Sequence, residues 1–253
     1  MQAAGVSDTG LTRNLNQDAI LVCNEPLGPL PNLFIVADGM GGHKAGEIAS
    51  KTSVETITKY ITEFKGQEFV LQDNYLDLIV SAIQEANKNV YNMSESDPEK
   101  KGMGTTLIAC TITKEKIIMA HVGDSRGYCL TNDKILQITA DHTYVEEMVQ
   151  AGQITAEQAS QHPSRHVITR AVGTYGPLEV DGIVRPIEDT TAVLICSDGL
   201  SDMMNDDKIK EIVNSQGFVQ DRAKQLIDEA NSKGGHDNIT AIIIDTVVRG
   251  DKS

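Results

Sequence analysis

The sequence has no long apolar run, little positive charge and no paired-cysteine motif. No stretch approaches the ~20 consecutive apolar residues that cross a bilayer, and the N-terminus lacks a basic segment followed by an apolar one. The 36 acidic residues outnumber the 22 basic ones, which gives a net charge of −14. A general nucleic-acid binder needs a basic surface for the phosphate backbone. These absences predict a cytoplasmic protein that binds neither nucleic acid nor a membrane.

The four cysteines do not form Cys-x-x-Cys pairs, and each lies in or beside an apolar run typical of a strand. Buried reduced thiols are therefore expected, and not a zinc site or a disulfide framework. The chain has 253 residues, of which 40% are apolar, which is enough to bury a substantial core. We expect one elaborated α and β domain over residues 1–253.

The stretch 33–43 combines a strand pattern with chemistry. Five apolar or small residues beginning at Leu33 lead into Asp38, and three glycines follow within four positions before His43. An apolar run bounded by glycine predicts a buried strand, and the glycines allow the backbone to turn and to approach a ligand closely. Asp38 is thus a candidate metal ligand or catalytic group, although an isolated Asp-Gly pair is more often only a turn.

Four further aspartates flank predicted strands. Asp18 starts the strand that ends at Cys23, and antiparallel pairing would place it beside Asp38, which closes the next strand. The ends of the remaining strands can share that edge. The other three aspartates are Asp124, after the second strand of a predicted hairpin, Asp198, after the apolar run 192–197, and Asp237, before the strand 239–244.

The periodicity of the rest of the chain predicts antiparallel sheets covered by helices. Residues 5–10 are predicted to be a polar turn. Residues 141–173 hold three of the six histidines and few large apolar residues, and we expect them to form a polar flap that faces the substrate. Helices are predicted over 45–64, 76–91, 144–150, 155–160, 206–215 and 219–231, and strands over 105–113, 116–122, 128–130 and 135–138.

Clustered carboxylates repel one another and are costly to desolvate, so shared protons, arginines or metal ions must neutralise them. An all-oxygen ligand set without grouped Cys or His predicts Mg²⁺ or Mn²⁺. Two such ions ~3.5–4 Å apart can activate a bridging water and hold a phosphate oxygen, and Arg13 is a candidate for gripping that phosphate. Taken singly, each aspartate is more often a turn former, Arg13 a surface charge and His43 a helix-start residue.

Six motifs, in this order and spacing, resemble the motif set of the metal-dependent protein phosphatases of type 2C in their compact bacterial form. The resemblance implies an α+β fold, a four-layer α-β-β-α sandwich of two antiparallel sheets flanked by helix pairs, with a flap insertion at about 141–173. It also implies a metal cleft at one edge of the sandwich. The motifs are Arg13-x-x-Asn-Gln-Asp18, Ala37-Asp-Gly-Met-Gly-Gly-His43, Gly104-Thr-Thr106, Val122-Gly-Asp-Ser-Arg126, Ser197-Asp-Gly199 and His236-Asp-Asn-Ile-Thr240.

The resemblance implies hydrolysis of phosphoserine and phosphothreonine by a metal-bound bridging water, without a phosphoenzyme, and Arg13 would bind the substrate phosphate. Eukaryotic members have a histidine, the usual candidate general acid, where this chain has Met40; His43 is nearby and titrates near neutral pH. The implied metal roles are Asp38 bridging two Mg²⁺ or Mn²⁺ ions, Asp198 and Asp237 on the first, Asp18 and the Gly39 carbonyl on the second, and Asp124 with Asp198 on a third, weaker ion.

The expected partners are phosphorylated proteins, a cognate serine/threonine kinase in bacterial signalling, and no second copy of the chain. Two alternatives differ in class. A regulatory module would bind phosphoprotein without turnover, but the intact ligand set disfavours it. A metal-dependent nuclease or small phosphoester hydrolase would use the same centre, but the acidic surface disfavours long nucleic-acid substrates.

Overall fold

The computed structural model describes residues 1–42, 44–65 and 74–247. His43 therefore lies outside the described residues. Within them, the strands are β1 (Gln2–Asp8), β2 (Asp18–Cys23), β3 (Leu33–Met40), β4 (Gly104–Thr105), β5 (Leu107–Ile112), β6 (Lys116–Val122), β7 (Arg126–Leu130), β8 (Ile135–Gln137), β9 (Asp181–Pro186), β10 (Ala192–Cys196) and β11 (Ile239–Asp245). The helices are α1 (Ala45–Thr62), α2 (Tyr75–Ser96), α3 (Tyr144–Gln150), α4 (Ala156–Ser160), α5 (Asp198–Ser201), α6 (Asp206–Val213) and α7 (Val219–Ser232), with a 3₁₀ turn at Pro98–Lys100.

The strands form two antiparallel sheets that pack face to face. One sheet has the order β1-β11-β10-β7-β8, and the other has the order β2-β3-β5-β6-β9 with β4 paired to β3. Apolar side chains of both inner faces make the central layer of the core, for example Phe34 and Ile108 against Val193 and Ile242. Helices α1 and α2 cover the outer face of the second sheet, and α6 and α7 that of the first. The predicted four-layer α-β-β-α sandwich is confirmed.

The central strands read as continuous apolar runs because both of their faces are covered. Every residue of β5, β10 and β11 is buried. The helices instead bury one face, as Ala49, Ile57 and Ile61 do in α1, so their apolar residues recur at helical spacing. No helix of the described residues is long and apolar enough to cross a membrane.

Two strands differ from the sequence prediction. Residues 5–10 were expected to turn, but β1 runs through Gln2–Asp8 and pairs with β11 along its whole length. Its small residues carry a weak strand signal, and the apolar partner strand supplies the stabilisation. Strand β9 was not predicted because four of its six residues are exposed at the edge of the sheet, where no apolar alternation is needed.

Other differences lie at the ends of elements. The predicted strand 105–113 is interrupted at Thr106, whose backbone N–H donates to the carbonyl of Asp38 at 2.9 Å. Helix α2 extends to Ser96, five residues beyond the predicted end. Segment 141–173 contains α3 and α4. An isolated bridge from Thr143 to Ile168 closes the segment internally, and another from Thr105 to Val172 connects it to β4.

Candidate metal centre

Asp18 and Asp38 face each other as Cα partners in the β2–β3 ladder. The antiparallel register thus places the first residue of β2 beside the end of β3, as the sequence predicts. Strand β3 continues for two residues beyond Asp38, where Gly39 and Met40 pair with β4. Gly39 contacts Gly46 of α1 so closely that no side chain fits between them. The first turn of α1 therefore lies against this edge of the sheet.

The first sheet, which contains β10 and β11, brings two further aspartates to the same edge. Strand β10 ends at Cys196, and Asp198 is the first residue of α5. Asp237 lies two residues before β11, which pairs with β10 so that Ser197 N–H donates to the Thr240 carbonyl at 3.0 Å. The short helix thus turns Asp198 into the space between the sheets.

Asp124 lies two residues after the end of β6, in the same sheet as β2 and β3. Its carboxylate and that of Asp18 both interact electrostatically with Asp198, and both raise the pKa of Asp38. The pKa of Asp18 is in addition raised by Asp237. The structure therefore brings together all five aspartates that the sequence singles out.

The carboxylate of Asp18 is held on one side only. Thr240 Oγ1 and Ser197 Oγ donate hydrogen bonds to its Oδ2 at 2.6 and 3.0 Å. Among the described residues, Asp18 Oδ1 and Asp198 Oδ1 are buried carboxylate oxygens without a hydrogen-bond partner. A buried polar atom left unpaired is destabilising by ~1–3 kcal/mol, more when the group is charged. Two such oxygens in one acidic cluster fit a bound cation.

Burial and mutual repulsion disfavour the charged carboxylates. Burial raises the pKa of Asp18 to about 7, although the hydrogen bonds from Thr240 and Ser197 oppose the change. Burial and the charge of Asp198 raise the pKa of Asp124 to about 7. Burial likewise raises the pKa of Asp38, with further contributions from Asp18 and Asp198, and that of Asp198. A divalent cation would reverse this preference because it stabilises the ionised form. The oxygen donors suit Mg²⁺ or Mn²⁺.

Arg13 lies on the loop between β1 and β2, at the rim of the acidic cluster. Its Nη2 donates to Asp237 Oδ2 at 2.8 Å, and its side chain is half exposed. The loop is fixed by two backbone hydrogen bonds, in which the N–H groups of Leu11 and Thr12 donate to the Gly235 carbonyl. Arg13 thus presents a guanidinium to solvent beside the carboxylates, as binding of an anionic substrate requires.

Three side chains that support the site had no role in the sequence prediction, although they lie inside the motifs. Thr240 and Ser197 hold Asp18. Asn238 accepts from Gln17 N–H at 2.8 Å and donates to the carbonyls of Thr9 and Leu15, both at 2.9 Å, so it clamps the Arg13 loop. The sequence signal for these supporting side chains is a polar residue in or next to an otherwise apolar strand, such as Thr240 in β11.

The flap reaches the acidic cluster through His166. Its Nδ1 lies 3.5 Å from Asp202 Oδ2, and His166, Asp198 and Asp202 have possible ligand atoms within 4.8 Å of one another. This contact places the side chain of one flap residue beside Asp198 and Asp202.

Comparison with known proteins gives the class to which this fold and site belong. A family model described as "Protein phosphatase 2C" matches residues 12–237. The serine/threonine phosphatase stp of Listeria welshimeri is 37% identical over 97% of this chain and 96% of its own. The PstP phosphatase of Mycobacterium tuberculosis is 35% identical over 98% of this chain and 45% of its own. The chain therefore belongs to the protein phosphatase 2C family.

Solved structures agree. The Staphylococcus aureus phosphatase Stp1 superposes with a TM-score of 0.89 at 33% identity, over 98% of this chain and 95% of that one. The catalytic domain of PstP, in a crystal structure with two manganese ions, has a TM-score of 0.80 at 32% identity, over 96% and 97% of the two chains.

Proposed function

We propose that this chain is a metal-dependent protein serine/threonine phosphatase. The observation that carries the proposal is the convergence of five aspartates from two sheets, with two buried carboxylate oxygens left for a cation. Family membership and relatives named serine/threonine phosphatases support the substrate class. The reaction is hydrolysis of a phosphomonoester without a phosphoenzyme intermediate.

The centre takes two Mg²⁺ or Mn²⁺ ions, as the two manganese ions bound to PstP support. When bound, such ions supply an activated water and stabilise charge on the transferred phosphoryl group. Asp38 is the proposed bridging ligand. The remaining proposed ligands are Asp198 and Asp237 for the first ion, Asp18 and the Gly39 carbonyl for the second, and Asp124 with Asp198 for a third and weaker ion.

The side chains around the metals orient the ligands and the substrate. Thr240 and Ser197 bind Oδ2 of Asp18, which leaves Oδ1 for a cation. Arg13 binds the substrate phosphate through its planar set of donors, and its bond to Asp237 holds the guanidinium at the rim. The role of His43 as general acid stays a prediction from sequence.

We further propose the following context for the enzyme. Residues 1–253 form one catalytic domain, and segment 141–173 is a flap that influences which phosphopeptides are accepted. The protein acts as a monomer in the cytoplasm on phosphorylated proteins, opposite a serine/threonine kinase.

A phosphatase assay with a matched substitution tests the proposal. The purified protein should release phosphate from a phosphothreonine peptide with Mn²⁺ present, and chelation should abolish that activity until Mn²⁺ is restored. Asp38→Asn should lower kcat by ~10²–10³-fold, the usual effect of removing one group that stabilises charge in the transition state. Asp77→Asn, on the exposed side of α2, changes the charge equally and should leave kcat within twofold of wild type.

The two alternative functions give different results in the same experiment. Tight binding of the phosphopeptide without phosphate release would favour a recognition module. Faster turnover of a nucleotide or of single-stranded DNA than of the phosphopeptide would favour a nuclease or a small phosphoester hydrolase. Normal turnover by Asp38→Asn, or in full chelator, would overturn the metal centre itself.

A further inference from the structure

His142 forms a reciprocal pair of hydrogen bonds with Gly123, the residue before Asp124. Gly123 N–H donates to His142 Nδ1 at 3.1 Å, and His142 N–H donates to the Gly123 carbonyl at 3.0 Å. Both residues are buried. The backbone that carries Asp124 is thus fixed to a residue at the start of the flap, 19 positions away in sequence.

The opposite side of this backbone is fixed by Thr106. Gly123 has φ +100°, and a Cβ on it would lie 2.6 Å from Thr106 Cβ, so this position requires glycine. Ser125 Oγ lies 2.7 Å from Thr106 Oγ1. The segment from Gly123 to Ser125 is therefore clamped between Thr106 and His142, and small shifts of either clamp would move Asp124.

The other nitrogen of the His142 ring faces the end of the flap. Nε2 lies 3.3 Å from Asp181 Oδ2, and Arg170 Nη1 donates to Asp181 Oδ1 at 2.9 Å. Because Nδ1 accepts from Gly123, a neutral ring carries its proton on Nε2, which lies 3.3 Å from both Asp181 Oδ2 and Arg170 Nη1. The ring of His121 stacks on that of His142 with centroids 4.7 Å apart and restricts its rotation.

We propose that His142 is a positioning residue for Asp124 and joins the base of the flap to the metal centre. Its Nδ1 fixes the Gly123–Asp124 backbone, and its Nε2 ties this backbone to Asp181 and Arg170. The inference rests on the proposed function, because Asp124 matters here as a ligand of the weaker metal site. The two nitrogens have separable tasks: Nδ1 serves metal binding, and Nε2 serves the flap.

Two substitutions separate these tasks. The amide oxygen of Asn is as many bonds from Cβ as Nδ1 of His, and the amide of Gln reaches the place of Nε2. We expect His142→Asn to keep Mn²⁺ affinity within threefold of wild type at every site. His142→Gln should weaken the lowest-affinity site by ~10–100-fold, the usual effect of removing an outer-shell partner of a ligand, as Asp124→Asn should. Isothermal titration calorimetry with MnCl₂ alone measures this without relying on activity.

Asp181→Asn tests the flap side. This substitution removes the negative charge beside His142 Nε2 and leaves the bond between Nδ1 and Gly123 in place. Mn²⁺ affinity should therefore match wild type, and KM for a phosphopeptide should rise relative to KM for a small aryl phosphate. The thermal unfolding midpoint of each variant, measured in chelator, shows whether the protein is folded.

The outcomes distinguish the inference from the proposed function. If wild type binds no Mn²⁺, the proposed function fails. If wild type binds Mn²⁺ but the Asn and Gln variants have equal affinities, whether both normal or both weakened, His142 does not position Asp124 through Nδ1. If both variants are unfolded, the comparison of Asp181→Asn with wild type decides, and a weakened metal site in that variant overturns the separation of tasks.

Discussion

The carbonyl oxygen of Gly46 lies 2.1 Å from the position that a Cβ on Gly39 would occupy. Strand β3 and helix α1 therefore meet backbone to backbone at the metal edge. The three glycines after Asp38 have different roles: Gly39 permits this approach, Gly41 has φ +142° in the turn, and a Cβ on Gly42 would have no atom within 4 Å among the described residues.

Substitutions of Gly39 and Gly42 should differ in their effects on stability and activity. Gly39→Ala forces β3 and α1 apart, so we expect it to destabilise the fold by ~1–3 kcal/mol or more, as overpacking does, and to abolish phosphatase activity. Gly42→Ala adds the same methyl group in open space and should leave both properties within error of wild type. Thermal unfolding and phosphate release measure the two effects. Equal behaviour of the variants would show that the backbone contact is unimportant.

Metal binding should release protons near neutral pH. The pKa values of Asp18 and Asp124 are raised to about 7 by burial without a cation, and a ligated carboxylate must be ionised. Calorimetry of Mn²⁺ binding at pH 6 in buffers of different ionisation enthalpy should therefore detect proton release, which declines by pH 8. Proton release that is the same at both pH values would contradict these assignments.

The same carboxylates predict how stability without metal depends on pH. Their pKa values in the folded state exceed the ordinary value of 3.8, so the folded protein binds more protons than the unfolded chain between about pH 4 and pH 7. Their contribution to stability is complete below pH 4 and is lost as pH rises through 7. In chelator, the unfolding midpoint should fall less steeply over this range in Asp18→Asn than in wild type. An identical slope in both proteins would exclude Asp18 as a cause.

Arg13 should act on substrate binding. Arg13→Ala removes charge-assisted hydrogen bonds worth ~1.5–3 kcal/mol, so we expect KM for a phosphopeptide to rise by ~10–100-fold. Arg13→Lys keeps the charge without the planar fork and should lie between Ala and wild type. Arg185→Ala, at an exposed position of β9, is the control. An unchanged KM in Arg13→Ala would remove Arg13 from the phosphate site.

Thr240 should matter for metal affinity although it has no proposed contact with the metal. Thr240→Val keeps the shape and removes the donor to Asp18 Oδ2, so Mn²⁺ affinity should fall by ~10–100-fold. Thr58→Val removes a hydroxyl whose bond to the Val54 carbonyl lies within α1, and it should bind Mn²⁺ normally. Equal Mn²⁺ affinities for Thr240→Val and wild type would contradict the supporting role.

The clustering of the aspartates can be predicted from sequence because each one flanks an apolar run at a strand end. Antiparallel pairing then places Asp18 opposite Asp38. Strand β1 escaped prediction because its stability comes from β11, more than 230 residues away, and the local sequence does not contain that information. The contacts of His142 and Thr240 were missed for a similar reason. A buried hydrogen bond between distant segments leaves no periodic signal, and only the folded chain shows which carboxylate a hydroxyl reaches.

The pairing of β1 with β11 has a consequence for synthesis of the protein. Residues Gln2–Asp8 leave the ribosome more than 200 residues before their partners Ile239–Asp245 are made. Asp237 and Asn238, which bind and clamp the Arg13 loop, emerge with the same late segment. During translation β1 therefore remains unpaired until β11 has been made, and until then the acidic centre lacks the carboxylate of Asp237. We expect a nascent chain to acquire both its closed sheet and its complete acidic centre in a single late step.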